Sequence, residues 1–346
     1  MVVLTAAALS SAVLLAPPGG ALPSRALSWL LFTASSAHVA STGWLFTVPA
    51  VRTYARAHRV RCLWLPAGLV AAAATTAAAI SPAAFGWLLL PYFGWQLHHF
   101  SKQNVGMASL AAAAGRAGAL QRGELWPLLL TGWSGAAALL SRPGLLGLRL
   151  EGPAGRGLAA HSALACAGHA VFLAAAAMFA VSAAAGVIAL ARRPAFRRSR
   201  EFCLAYLACL LFFVPAFMFG SPYAAAGGLT IAHGLQYLLL VGIIAGGAAP
   251  GTGPPAGFSR VIRLAALANV AFIGGAVLSV ASHLHDAGPA GGLAFGAYLG
   301  VVMAHFVLDA GLWRMRDPLA RAFMVTSVPF LVPATDRSAT DIRCAA

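Results

Sequence analysis

Long apolar runs separated by short loops, many of them bearing arginine, constrain this 346-residue chain more than any other feature of its sequence. Crossing the hydrocarbon core takes roughly 20 apolar residues of helix. In that solvent every backbone polar group must be bonded within the segment, so runs of this length are read as helices. Ten such runs occur, over 2–16, 27–48, 62–80, 84–113, 125–140, 158–190, 202–219, 225–246, 261–282 and 292–313. The first, about 15 residues, is short for a bilayer. The expected fold is all-α: a polytopic transmembrane helical bundle of about nine spans, eight to ten in range. It forms one domain over 1–333, followed by a short tail over 334–346. Only 9% of residues are charged, against roughly a quarter in a soluble domain, which excludes a soluble globular enzyme.

The net charge of +15 resembles a nucleic-acid footprint, but its distribution argues for topology instead. Eighteen of the 23 basic residues fall in alternate loops, those after 27–48, 84–113, 158–190, 225–246 and 292–313. Four (Arg25, Arg142, Arg149 and Arg156) fall on the opposite side, and Lys102 lies within a run. By the positive-inside rule the arginine-rich side is cytoplasmic. The expectation is a multi-pass plasma-membrane protein with a cytoplasmic C-terminus, surrounded by lipid and without a nucleic-acid partner. Residues 1–24 carry no Lys or Arg, so a secretory signal would lack its basic segment. The five cysteines include no CxxC pair, which supports neither a disulfide framework nor a zinc ribbon.

The histidines carry the chemical information. Six of the ten, His38, His98, His99, His169, His233 and His305, lie well inside apolar runs, where an ionisable side chain is costly and therefore a functional suspect. Five runs descend from the same side. Counted from that end at 1.5 Å per residue, their histidines lie roughly 12–21 Å deep. A common level suits a shared metal or haem site, and these six are the candidate metal ligands. Small residues precede His38, His169, His233 and His305, allowing helices to approach closely.

Polar neighbours extend the pattern. In the run 84–113, Tyr92, Gln96, His99 and Gln103 share one helical face, and His98 and Lys102 share the adjoining one. In the run 292–313, His305 and Asp309 are one turn apart. Tyr92, Lys102 and Asp309 are candidate catalytic groups, and Asp309 could instead accept a proton from a ligating imidazole. Gln96, Gln103 and Tyr237 are candidates to surround a cofactor, with Tyr237 placed to hydrogen-bond His233. The alternation His283-Leu284-His285 is expected in a solvated loop.

Single intramembrane histidines on separate helices, together with the segment His305 to Trp313, are similar in type to bacterial membrane carotene dioxygenases. The chain is more loosely similar to membrane di-iron desaturases, whose closely spaced histidine boxes it lacks. The first resemblance implies four histidines holding one iron and oxygen-dependent cleavage of a long apolar substrate. From the residues alone, imidazole ligands suit iron or copper and disfavour calcium and magnesium. The expectation is thus an oxygenase or oxidase acting on a lipophilic substrate. A b-type haem protein for electron transfer and a proton-coupled or metal transporter are the alternatives.

Overall fold

The computed structural model describes residues 1–17, 24–148, 150, 157–247, 257–285, 287–328 and 331. The tail over 334–346 lies outside them, as do Arg149, Arg156 and Asp286. Among the described residues every regular element is a helix. In chain order these are α1 (Val2–Leu15), α2 (Arg25–Leu45), α3 (Pro49–Ala57), α4 (Leu65–Ala79), α5 (Pro82–Ala114), α6 (Arg122–Leu140) and α7 (Gly157–Ala191). They continue with α8 (Arg200–Leu210), α9 (Pro215–Met218), α10 (Gly228–Gly246), α11 (Gly257–Asn269), α12 (Gly275–Ser282), α13 (Gly288–Leu312) and α14 (Pro318–Ser327). Wide π-type turns at Val60–Trp64, Tyr223–Gly227 and Val270–Gly274 lead into α4 and α10 and join α11 to α12.

Five helical segments are long and apolar enough to cross a membrane: Val60–Ala79, Cys166–Ala191, Tyr223–Gly246, Ser259–Ser282 and Gly288–Leu312. They divide by position. Most residues of the segments containing α10 and α13 are buried within the bundle, whereas those containing α4, α7 and α11–α12 turn most of theirs outward. The outward side chains are large and apolar, among them Leu63, Val181, Ile188, Ile273 and Val277.

Three stretches depart from the expected spans. The run 202–219 is broken, with α8 ending at Leu210 and turns over 211–214 before α9. Pro215 explains the break, since a proline lacks the N–H for the i−4 bond and disfavours the helical region for the residue before it. The loop expected after 27–48 contains α3, an amphipathic helix with Pro49 in its first turn and Val51, Tyr54 and Ala55 buried. The loop after 292–313 contains α14, begun by Pro318 and capped by Asp317, whose carboxylate accepts from the backbone N–H groups of Leu319 and Ala320. Both helices pack their apolar faces into one core with Trp44, Tyr237 and Leu312. Their polar faces hid them from a search for apolar runs. The short α1 belongs to the bundle: Thr5, Ala8 and Ala12 are buried, and Gln236 of α10 donates to the Thr5 hydroxyl at 3.0 Å.

Close helix contacts bring the polar residues together. Along α13, Gly292, Gly296 and Gly300 face α4, where an added Cβ would strike backbone of Ala77, Ala73 and Val70 respectively. Gly234 of α10 does the same against Ala34 of α2. Missing side chains at these crossings let the helix axes approach.

Candidate metal centre

Four helices each deliver one buried histidine to a common point: His38 from α2, His99 from α5, His233 from α10 and His305 from α13. The rings form a closed circuit. Centroids of His38 and His233 lie 5.1 Å apart, His233 and His99 4.9 Å, His99 and His305 5.2 Å, and His305 and His38 5.2 Å, all edge to face. Taken as a flat square of side about 5.1 Å, the circuit has its centre about 3.6 Å from each centroid, that side divided by √2. A ligating imidazole has its centroid roughly 3.2 Å from the ion, a bond of about 2.1 Å plus a ring radius of roughly 1.1 Å. Puckering the square toward a tetrahedron supplies the difference.

The inward nitrogens fit such a use. Nε2 of His99, His233 and His305 are all buried without a hydrogen-bond partner, an arrangement that costs free energy unless something binds there. Ligand atoms of His38, His233 and His305 lie within 4.8 Å of one another, and so do those of His99, His305 and Asp309. Co-ligand nitrogens around one ion sit roughly 3–4 Å apart, so shifts of about an ångström close the set.

Surrounding groups set the tautomers. The Nδ1 of His38 donates to the carbonyl of Ala34, one turn earlier, leaving a lone pair on its Nε2. Nδ1 of His305 meets the Thr42 hydroxyl at 2.7 Å. That hydroxyl lies 2.9 Å from the Tyr237 oxygen, and the Tyr237 hydroxyl donates to Asp309 Oδ1 at 3.0 Å. With Asp309 ionised, the donors run in one direction: His305 to Thr42, Thr42 to Tyr237, and Tyr237 to Asp309. A hydroxyl has a single proton to give, so this order puts the His305 proton on Nδ1 and again frees Nε2. The Trp313 indole also hydrogen-bonds Asp309. The other carboxylate oxygen, Oδ2, lies 3.6 Å from His305 Nε2 and 3.8 Å from His99 Nε2. Phe100 stacks on His233 at 4.1 Å and Phe306 on His99 at 4.6 Å, giving the cluster apolar walls.

The remaining candidates are placed as follows. His169 is exposed on α7, because a shared depth along the axis says nothing about the direction in which a residue points. His98 is exposed on α5, where its Nδ1 accepts from the Trp133 indole at 3.3 Å. Neighbours on a helix differ by about 100°, so only one of His98 and His99 can face inward. Lys102, one turn beyond His98, is exposed as well. Asp309 is held by Tyr237 and Trp313. Tyr237 reaches Asp309 and Thr42 where a bond to His233 was expected. Tyr92 is partly buried, packed beside Val39, Val302 and Phe306. Gln103 donates to the His233 carbonyl and to Gln236, and Gln96 keeps a buried, unpartnered Oε1. His283 is exposed; its Nδ1 donates to the Ser279 carbonyl at 2.7 Å and lies 3.2 Å from the Ser282 hydroxyl.

Thr42 was not anticipated, yet a signal for it exists. Each converging histidine has a polar residue four positions later: His38 and Thr42, His99 and Gln103, His233 and Tyr237, His305 and Asp309. After His169 that position is Leu173. Residues four apart share a helical face, so this spacing marks histidines that belong to a polar interior. His98 and Lys102 also fit the spacing and face outward, so it selects four of the five. Compared with known protein families, curated proteins and solved structures, the chain matches none.

Proposed function

We propose that the chain is a multi-pass membrane metalloprotein whose four buried histidines hold a redox metal ion, iron or copper, and that it oxidises a lipophilic substrate delivered from the bilayer. The observation that carries the reading is the circuit of four imidazoles, three of them with a buried, unpartnered Nε2. An all-imidazole set beside one carboxylate suits iron and copper. Bound there, the ion would supply one-electron and oxygen chemistry. His38, His99, His233 and His305 bind it; Thr42 and the Ala34 carbonyl orient two of the rings; Phe100 and Phe306 exclude water. Asp309 holds the end of the hydrogen-bond chain from His305 and is placed to accept or return a proton at Oδ1.

The other functions weighed fit less well. A porphyrin between any two of the rings would overlap the other two, which argues against a b-type haem. A transport path is disfavoured by the aromatic walls that Phe100 and Phe306 give the cluster, although Gln103, Gln236 and Thr5 extend its polar contacts. In the proposed arrangement about nine spans lie in the plasma membrane, and the arginine distribution supports cytoplasmic arginine-rich loops and C-terminus.

Metal analysis and an optical spectrum of detergent-purified protein test the reading. Near-stoichiometric iron or copper without a Soret band is expected. His99→Ala should remove the metal, while His169→Ala and His98→Ala keep it. A metal-free wild type after growth in metal-supplemented medium, or retention in His99→Ala, would overturn it.

A further inference from the structure

The outward face of α5 and α6 carries polar groups where lipid alone would be a poor neighbour. His98, Lys102, Trp95 and Trp133 are all exposed there. Because the Trp133 indole donates to His98 Nδ1, neutral His98 carries its proton on Nε2 and presents a donor on the exposed side of the helix. Lys102 adds an ammonium one turn away, with no hydrogen-bond or ion-pair partner among the described residues. These groups lie away from the ends of their helices. Helix α6 is 19 residues long, so Trp133 lies roughly 16 Å from its Arg122 end and roughly 10 Å from its Leu140 end. Donors and a cation at that level are costly in hydrocarbon.

We infer that this face binds the ring of a quinone. A quinone is uncharged, dissolves at mid-bilayer depth, and offers two carbonyl acceptors and a flat ring. One carbonyl accepts from His98 Nε2–H, Lys102 provides further positive potential, and the ring packs against the exposed indoles of Trp133 and Trp95. A fatty acid has acceptors too, but its carboxylate stays at the bilayer surface. The face also touches the histidine cluster. Trp95 lies 5.7 Å from Phe306, which stacks on His99, and His98 and His99 are consecutive. A quinone bound here would thus lie beside the centre described above, and only that adjacency to a metal rests on the metal reading.

The test is a titration of the purified full-length protein in detergent with decylubiquinone, read by quenching of tryptophan emission. A saturable component is expected. His98→Ala should raise its half-saturation about tenfold, the loss of one hydrogen bond in an apolar setting. His98→Gln, which keeps a donor, should restore most of the affinity, and Trp133→Phe should remove most of the saturable signal. Metal content should be unchanged in all three. Quenching without saturation, an unchanged half-saturation in His98→Ala, or tighter competition by oleate than by decylubiquinone would each overturn the quinone site. A metal-free wild type that still binds quinone saturably would overturn the metal reading alone.

Discussion

The Thr42 hydroxyl of α2 sits 2.7 Å from Nδ1 of His305 on α13, joining residues 263 positions apart. With Asp309 ionised, it is the contact that accepts the His305 Nδ1 proton and leaves Nε2 free. Replacing it with valine keeps the shape and removes the acceptor. Thr42→Val should weaken metal binding about 10–100-fold, the usual effect of losing a partner that orients a ligand, and Thr42→Ser should recover most of it. Competition with a chelator of known affinity reads both.

Asp309 sits beside Nε2 of His99 and of His305 but is bonded on its other side by Tyr237. An Asp309→Asn variant should keep its metal, with affinity lowered about 10–100-fold. Complete loss of metal would make Asp309 a direct ligand. Tyr237→Phe, which removes the same hydrogen-bond chain one link earlier, should give a loss of similar size.

The crossing of α10 over α2 permits no side chain at Gly234, because a Cβ there would meet the backbone of Ala34, whose carbonyl holds His38. Gly234→Val should separate the helices, remove metal, and lower stability by about 1–3 kcal/mol as overpacking does. Gly242→Val is the control. Nothing lies within 4 Å of that position, so metal content and melting temperature in detergent should be unaffected.

Glu124 and Arg193 form a buried ion pair at 2.7 Å, both side chains about 1% exposed. Arg193 also donates to the carbonyls of Ala117, Gly118 and Ala119, tying the α5–α6 loop to the end of α7. Glu124→Ala leaves a buried guanidinium without its counter-charge, which typically costs about 3–5 kcal/mol. The three carbonyls place the effect at the lower end. Thermal unfolding in detergent should register it with metal content unchanged below the transition.

Asp317 gives the chain an acid-sensitive joint. The backbone N–H of Ala320 is the largest influence holding its carboxyl below the usual range; slight burial opposes it, and the N–H of Leu319 and the His58 imidazole, 2.9 Å away, add to the lowering. A lowered folded value means the carboxylate stabilises the fold above the ordinary carboxylate range, and that contribution is lost as pH falls through the lowered value. Wild type should therefore melt above Asp317→Asn at about pH 5–7, and the gap should narrow as pH falls through the lowered value. A constant gap across that range would remove the carboxylate from the account.

The helical character of the chain, its apolar segments and the presence of histidines within its helices could be read from sequence, because each depends on local properties: run length, charge scarcity and residue identity. Depth along a helix was also readable, since it needs only a count of residues. The direction each histidine faces depended on tertiary structure. His98 and His99 have the same neighbourhood in sequence, yet only the packing of α5 against α10 and α13 turns His99 inward and leaves His98 exposed. His169 matched the others in depth, and the peripheral position of α7 left it outside. Helices α3 and α14 escaped a search for apolar runs because their hydrophobic stripes become apparent only when a core exists to bury them. The hydrogen-bond chain from His305 through Thr42 and Tyr237 to Asp309 links three helices distant in sequence. No local pattern could specify it, since it exists only once Gly234 has let α10 and α2 approach.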